Sequence, residues 1–169
     1  MEDISYLTET RFSDLALDER LLSGLTDAGF DFCTKIQAES LPIALTGQDV
    51  AGQAQTGTGK TAAFLLAIFN HLLKNPKPES ATPISIRSLV LAPTRELAIQ
   101  IHRDAEVLGK RTGLKLGLAY GGTDYQQQRE TLAAGVDVLI GTPGRLIDFY
   151  KQDVFDLKAA QVLVLDEAD

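Results

Sequence analysis

The stretch Ala54-Gln55-Thr56-Gly57-Thr58-Gly59-Lys60-Thr61 decides how the rest of the chain is read. Asp49–Ala54 in front of it reads as a strand, and Lys60–Leu73 behind it reads as a strongly apolar helix. A glycine-rich turn in that setting aims successive backbone N–H groups at one point, and the positive end of the helix adds to them. Such a turn cradles phosphate. Lys60 adds a point charge for the outer phosphates, and the Thr61 hydroxyl is of the type that ligates Mg²⁺. The strict pattern has glycine at its first position, where this chain has Ala54. The plain alternative is an ordinary turn ahead of a core helix, and Gly-x-Gly-Lys-Thr between strand and helix weighs heavily against it.

Working outward, short apolar runs alternate with amphipathic ones, with Gly or Pro at most joints. Upstream, Leu17–Ala28 is expected to be a helix closed by Gly29, and Thr34 to cap a second helix that Pro42 kinks or shortens. Asn75–Pro83 carries three prolines and reads as an exposed loop. Downstream, strands are expected at Arg87–Ala92, Lys115–Tyr120, Val136–Ile140 and Gln161–Asp166. Helices are expected at Thr94–Thr112, Thr123–Ala134 and Gly144–Lys151. This alternation predicts an α/β fold, a mainly parallel sheet with helices on both faces. The chain ends at Asp169, directly after the last strand, so it is expected to belong to a longer α/β domain.

Composition narrows the class. With 169 residues, 44% of them hydrophobic and 23% charged, the chain has the make-up of about one globular domain and not that of a disordered or collagen-like one. No apolar run approaches the roughly 20 residues of a membrane span. The start is acidic and lacks the pattern of a secretory signal. The lone Cys33 fits a reducing, cytoplasmic setting. One cysteine and two histidines distant in sequence do not make a zinc site. The net charge of −7 comes from the first 50 residues, where ten acidic side chains face three basic ones. The remainder is balanced, so the chain is not a bulk-basic nucleic-acid binder, although a few placed arginines on a neutral surface suit that role.

The second chemical signal is Asp166-Glu167 after Val162–Leu165. In phosphate-loop enzymes an acidic residue at a strand's carboxyl end holds Mg²⁺, and a neighbouring carboxylate can take a proton from attacking water. Alone, such a pair is more often a solvated strand end; beside the phosphate loop it gains weight.

Together with Ala168-Asp169 the pair spells the tetrapeptide Asp-Glu-Ala-Asp, and the chain resembles the DEAD-box RNA helicases over nearly its whole length. The other motifs of that family's first RecA-like lobe follow in order: Pro93-Thr94-Arg95-Glu96-Leu97-Ala98, Gly121-Gly122 and Thr142-Pro143-Gly144-Arg145. Upstream, Phe12 lies 17 residues before Gly29-Phe30, and Thr34-Lys35-Ile36-Gln37 follows, similar to the family's adenine-reading motif. Within the family the chain is most similar to the bacterial RhlB type, through Cys33 in place of proline and the run 112–120.

The resemblance implies a RecA-like P-loop NTPase lobe, with an N-terminal segment at 1–37 and an incomplete first lobe at 38–169. It implies ATP and Mg²⁺ as cofactors. The nucleotide would be bound by Phe12, Gln37, Ala54, Gln55, Thr56, Gly57, Thr58, Gly59, Lys60 and Thr61. Lys60, Asp166 and Glu167 would be catalytic, with Thr61 and Asp166 on the metal. It implies sequence-independent contact of Pro93, Thr94, Arg95, Gly121, Gly122, Thr142, Gly144 and Arg145 with the RNA backbone. Asp169 would couple this lobe to a second one, and an RNA-degradation complex would be a partner.

Each of these residues also has a bland role open to it. Gln37 could complete a capping box with Thr34, Phe12 could anchor the core, and Arg95 and Arg145 could be surface charges. A DNA helicase or translocase of the same fold, or a nucleotide-binding scaffold without catalysis, are the other functional readings.

Overall fold

The computed structural model describes residues 6–55, 57–122 and 124–167. The chain forms two compact units. One comprises the residues up to Asn75 together with Val107–Gly113, and the other comprises Pro76–Glu106 and the residues from Leu114 onward.

The first unit is mainly helical. Strand β1 (Leu7–Arg11) pairs antiparallel with β2 (Phe32–Thr34), neither of which stands out in the sequence. Between them the Phe12–Asp14 turn of 3₁₀ helix buries the Phe12 ring to 3% exposure. Helix α1 (Glu19–Asp27) starts where the Asp18 carboxylate accepts from the Arg20 backbone N–H at 2.9 Å, an N-cap that satisfies an orphan donor. Gly29, at a φ of +81°, follows its end as expected from the sequence. Helix α2 (Lys35–Ala44) has Thr34 at its N-cap position and ends two residues after Pro42. Helix α3 (Lys60–Lys74) buries Leu65, Leu66, Ile68 and Phe69 completely and packs on α1 and α2. Its Asn70, 1% exposed, reaches back to accept from the Asp18 N–H at 2.9 Å.

Asp49–Ala54 is not a strand. A strand exists only by sharing a hydrogen-bond ladder, and these residues pair with no strand among the described residues. The segment is mostly exposed and interleaves its few apolar residues with Asp49, Gly52 and Gln53.

The second unit is built on a four-stranded, wholly parallel sheet in the order β4-β5-β3-β6. Its strands are β3 (Ser88–Leu91), β4 (Leu116–Ala119), β5 (Val138–Gly141) and β6 (Val162–Leu165). They are connected by α4 (Arg95–Leu108), α5 (Tyr125–Ala133) and α6 (Pro143–Lys151). The strands and helices fall within the expected runs with two exceptions: β5 runs one residue past the expected Ile140, to Gly141, and α6 opens one residue early, at Pro143 behind the N-cap position Thr142. Helix α4 stops at Leu108, short of the expected Thr112, because Gly109–Thr112 closes as a turn with Thr112 donating to the Gly109 carbonyl through both N–H and hydroxyl. One apolar cluster holds this unit, with Leu139 and Phe149 fully buried beside Leu132, Leu146 and Phe155. Fully burying such a side chain contributes roughly 1.5–3 kcal/mol.

Candidate functional site

In the first unit the expected phosphate loop is a turn that only glycine accommodates easily. Gly57 and Gly59 stand at φ of +84° and +85°, in the left-handed region that costs other residues about 1–2 kcal/mol. Gly59 caps α3, so Lys60 and Thr61, both half-buried, open that helix. The first amides of a helix have no partner within it, which leaves the turn rich in N–H donors. The Thr58 hydroxyl donates to the Gln55 carbonyl at 2.6 Å and tightens the approach to the turn. Thr56 and Asp169 lie outside the described residues.

Gln37 joins this turn to the segment in front of it. Its Oε1 accepts from the Thr34 N–H at 2.9 Å, and its Nε2 donates to the Gly59 carbonyl at 3.0 Å. The first bond is half of a capping box; the second ties α2 to the loop glycine. A Cβ on Gly59 would run into the Gln37 amide and would come within 2.8 Å of the Thr34 hydroxyl oxygen. Among the described residues that buried hydroxyl has no hydrogen-bond partner. Gln37 itself is 5% exposed. Beside it, Cys33 is fully buried, and burial, with the Asp14 carboxylate adding to it, pushes its thiol up to about 11.

In the second unit, parallel register brings four of the motifs to one edge. Leu91 is level with Gly141 and with Leu165, and Ala119 is level with Gly141. Beyond those ends the ladder runs on: Ala92 N–H donates to Gly141, Thr142 N–H to Ala119 and Asp166 N–H to Leu91. Pro93-Thr94-Arg95, Gly121-Gly122, Thr142–Arg145 and Asp166-Glu167 therefore leave the sheet at the same edge. The Leu97 N–H donates to the Thr94 hydroxyl at 3.2 Å, so Thr94 caps α4. Pro93, Thr94, Arg95, Gly121, Gly122 and Gly144 are exposed.

Both arginines at this edge lie on aromatic rings. The Arg95 guanidinium carbon is 5.0 Å from the centre of the Tyr120 ring. That of Arg145 is 4.8 Å from Tyr125 and 5.5 Å from Phe149. Neither arginine has an ion-pair partner among the described residues. An arginine stacked on a ring is held in place while its charge stays uncompensated.

The acidic pair divides by exposure. Asp166 is 7% exposed, whereas Glu167 is exposed. Glu167 also has a φ of +52°, a conformation uncommon outside glycine and asparagine that concentrates at functional sites.

Sequence reading missed Tyr120, Tyr125 and Gln128, all of which touch the motif arginines or their strands. Their sequence signal was faint, an aromatic or amide beside a glycine-rich turn.

With this geometry in view, comparison with known proteins is direct. Residues 34–169 match the model of the DEAD/DEAH box helicases. The chain belongs to this family. It is 60% identical, over 98% of its own length and 40% of the relative's, to the ATP-dependent RNA helicase RhlB of Psychromonas ingrahamii. It is 59% identical, over 98% of its length and 38% of the relative's, to the protein of the same name from Aliivibrio salmonicida. The chain thus spans about two fifths of the length of these curated relatives. Among solved structures it is similar to a hypothetical ATP-dependent RNA helicase from Sulfolobus tokodaii. The TM-score is 0.78 at 32% identity, covering 90% of this chain and 42% of that one. This DEAD/DEAH box lobe is RecA-like in fold. None of its described helices is long and apolar enough to cross a membrane.

Proposed function

We propose that this chain is the nucleotide-binding first lobe of a cytoplasmic, ATP-dependent RNA helicase that separates short RNA duplexes in the course of RNA turnover. The observation that supports it best is the Gln37 amide, bonded at once to Thr34 and to Gly59 of the phosphate loop. A carboxamide oxygen has two lone pairs and its nitrogen two protons. One acceptor and one donor are left beyond those bonds, the pair that matches the N6/N7 edge of adenine and does not match the O6/N7 edge of guanine, which offers two acceptors.

On this reading the N-terminal segment 1–37 supplies the base contact through Gln37 and Phe12, and 38–169 supplies the lobe. The loop amides from Ala54 to Thr61, Thr56 included, receive the phosphates, and Lys60 neutralises the outer ones. Among the described residues no three His, Cys, Asp or Glu side chains gather into a metal cage. Mg²⁺ is commonly bound by one or two protein oxygens plus substrate phosphates, which suits the Thr61 hydroxyl and the Asp166 carboxylate. When bound, the ion neutralises charge on the phosphates. Glu167 orients the attacking water and takes its proton.

RNA lies along the sheet edge, where helix-opening amides and the two uncompensated arginines meet its phosphates. Pro93, Thr94, Gly121, Gly122, Thr142 and Gly144 contact the same backbone. A second RecA-like lobe brings the arginine finger, and Asp169 couples to it.

Calorimetric titration with Mg·ADP and Mg·GDP tests the base reading. Binding of ADP without GDP, lost in Gln37→Ala, is the expected result, and equal binding of both would sink it. In the intact protein, ATP turnover should rise with single-stranded RNA, and equal stimulation by single-stranded DNA would favour a DNA translocase.

A further inference from the structure

Gln128, on α5, belongs to none of the motifs, yet it sits between three of them. Its side chain is 6% exposed. Its Oε1 accepts from the Arg145 Nη1 at 2.8 Å and from the Tyr120 backbone N–H at 3.2 Å. The first bond holds one of the two arginines directly. The second holds the residue that ends β4 and leads into Gly121-Gly122. The Tyr120 ring in turn carries the other arginine, Arg95, at 5.0 Å, and a Cβ on Gly122 would come within 3.5 Å of the Arg95 Nη1. One buried amide oxygen therefore connects the Arg145 joint, the glycine pair and, through one aromatic ring, the Arg95 joint.

We propose that Gln128 is the positioning residue of the RNA-binding edge. It sets the distance between the two arginines so that both meet phosphates of the same strand at once. The proposal rests on the reading of Arg95 and Arg145 as RNA contacts. The physical reason is geometric. An arginine on a flexible stem loses side-chain entropy when it grips a phosphate, and one already fixed by a ring and an amide has lost part of it in advance. Glutamine suits the task where glutamate would not. A carboxylate at this place would accept the same two bonds but would neutralise the Arg145 charge that the phosphate needs.

The test is a double-mutant cycle on RNA affinity in the full chain, with labelled single-stranded RNA and a non-hydrolysable ATP analogue. Gln128→Met keeps the volume and removes the amide, and is expected to weaken RNA binding about tenfold. In an Arg145→Ala background the same substitution should cost markedly less, because the group it positions is gone. A residue that merely supports the fold would cost the same in both backgrounds. In ATP turnover the half-saturating RNA concentration should rise while the rate at saturating RNA stays near that of the parent. Nucleotide affinity without RNA reports folding. Should Gln128→Met not fold, Gln128→Asn, which stays polar but withdraws the oxygen by one methylene, is expected to show the same loss and the same dependence on Arg145.

Parental RNA affinity in these variants, or full additivity with Arg145→Ala, overturns the proposal while leaving the RNA reading intact. If Arg95→Ala and Arg145→Ala themselves leave RNA affinity unchanged, the RNA reading fails and the proposal falls with it.

Discussion

The glycine loop ahead of α3 and the arginine-bearing sheet edge reach their geometry by different routes. The loop is made locally. Gly57 and Gly59 adopt positive φ because they lack Cβ, and the helix beginning at Lys60 follows within the same few residues. The sheet edge is made at a distance. Pro93, Gly121, Thr142 and Asp166 are spread over 74 positions of sequence, and only the parallel register of β3, β4, β5 and β6 lines them up. A locally made site should fail through single backbone changes. A register-made site should fail when the packing beneath it fails.

The largest effect separates binding from chemistry. Glu167→Gln is expected to lower ATP turnover of the intact protein by roughly 10²–10⁴-fold, the contribution of a positioned general base, while ADP affinity measured by calorimetry holds. Retained turnover would remove Glu167 from the mechanism.

Next comes the packing under the sheet edge. Phe149 is fully buried and lies beneath Arg145 and beside Tyr125, whose ring centre is 5.1 Å away. Phe149→Ala should cost about 3–5 kcal/mol in urea unfolding, the range for a deleted buried aromatic. Arg145 should lose part of its RNA affinity through the same change. A loss below 1 kcal/mol would mean that this cluster does not hold the edge together.

Two glycine substitutions sharpen the local side. Gly57→Ala meets open space and should cost only the positive-φ penalty of about 1–2 kcal/mol. Gly59→Ala meets that penalty and also collides with Gln37 and Thr34, so it should weaken ADP binding more than Gly57→Ala does. Equal effects in the calorimeter would deny Gln37 its place on the loop.

The smallest effect is at the α1 cap. The Arg20 side chain and its backbone N–H beside Asp18 hold that carboxyl down at about 2. Because its folded value lies below the unfolded one, the stabilisation is present above about pH 4 and disappears as pH falls through about 2. The pair is partly exposed, so Asp18→Ala should cost about 1 kcal/mol at neutral pH. The difference from the parent should shrink in thermal melts as the pH falls towards 2.

Much of the second unit was legible because each strand and helix there carries its own period. Val138–Gly141 is buried at every position, which a continuous apolar run announces. The paired strands β1 and β2 were not legible. Leu7–Arg11 and Phe32–Thr34 are short and largely polar, and their order comes from pairing across more than twenty residues. Asp49–Ala54 erred the other way, since a strand-like run without a ladder partner is not a strand. Gln128 gave only a faint signal, because an amide in a glutamine-rich helix looks solvated until the packing of α5 shows it to be buried.

The amino-acid sequence by itself determined the glycine turn ahead of Lys60, the helix that follows it, the strand–helix alternation and the family. All of these rest on local backbone sterics and on side-chain period. Only the tertiary structure decided that Gln37 holds Gly59, that four motifs share one sheet edge, and that Gln128 stands between two arginines. Those are contacts between residues far apart in the chain, and they exist only after loop closure and burial have fixed register. No local propensity encodes register by itself.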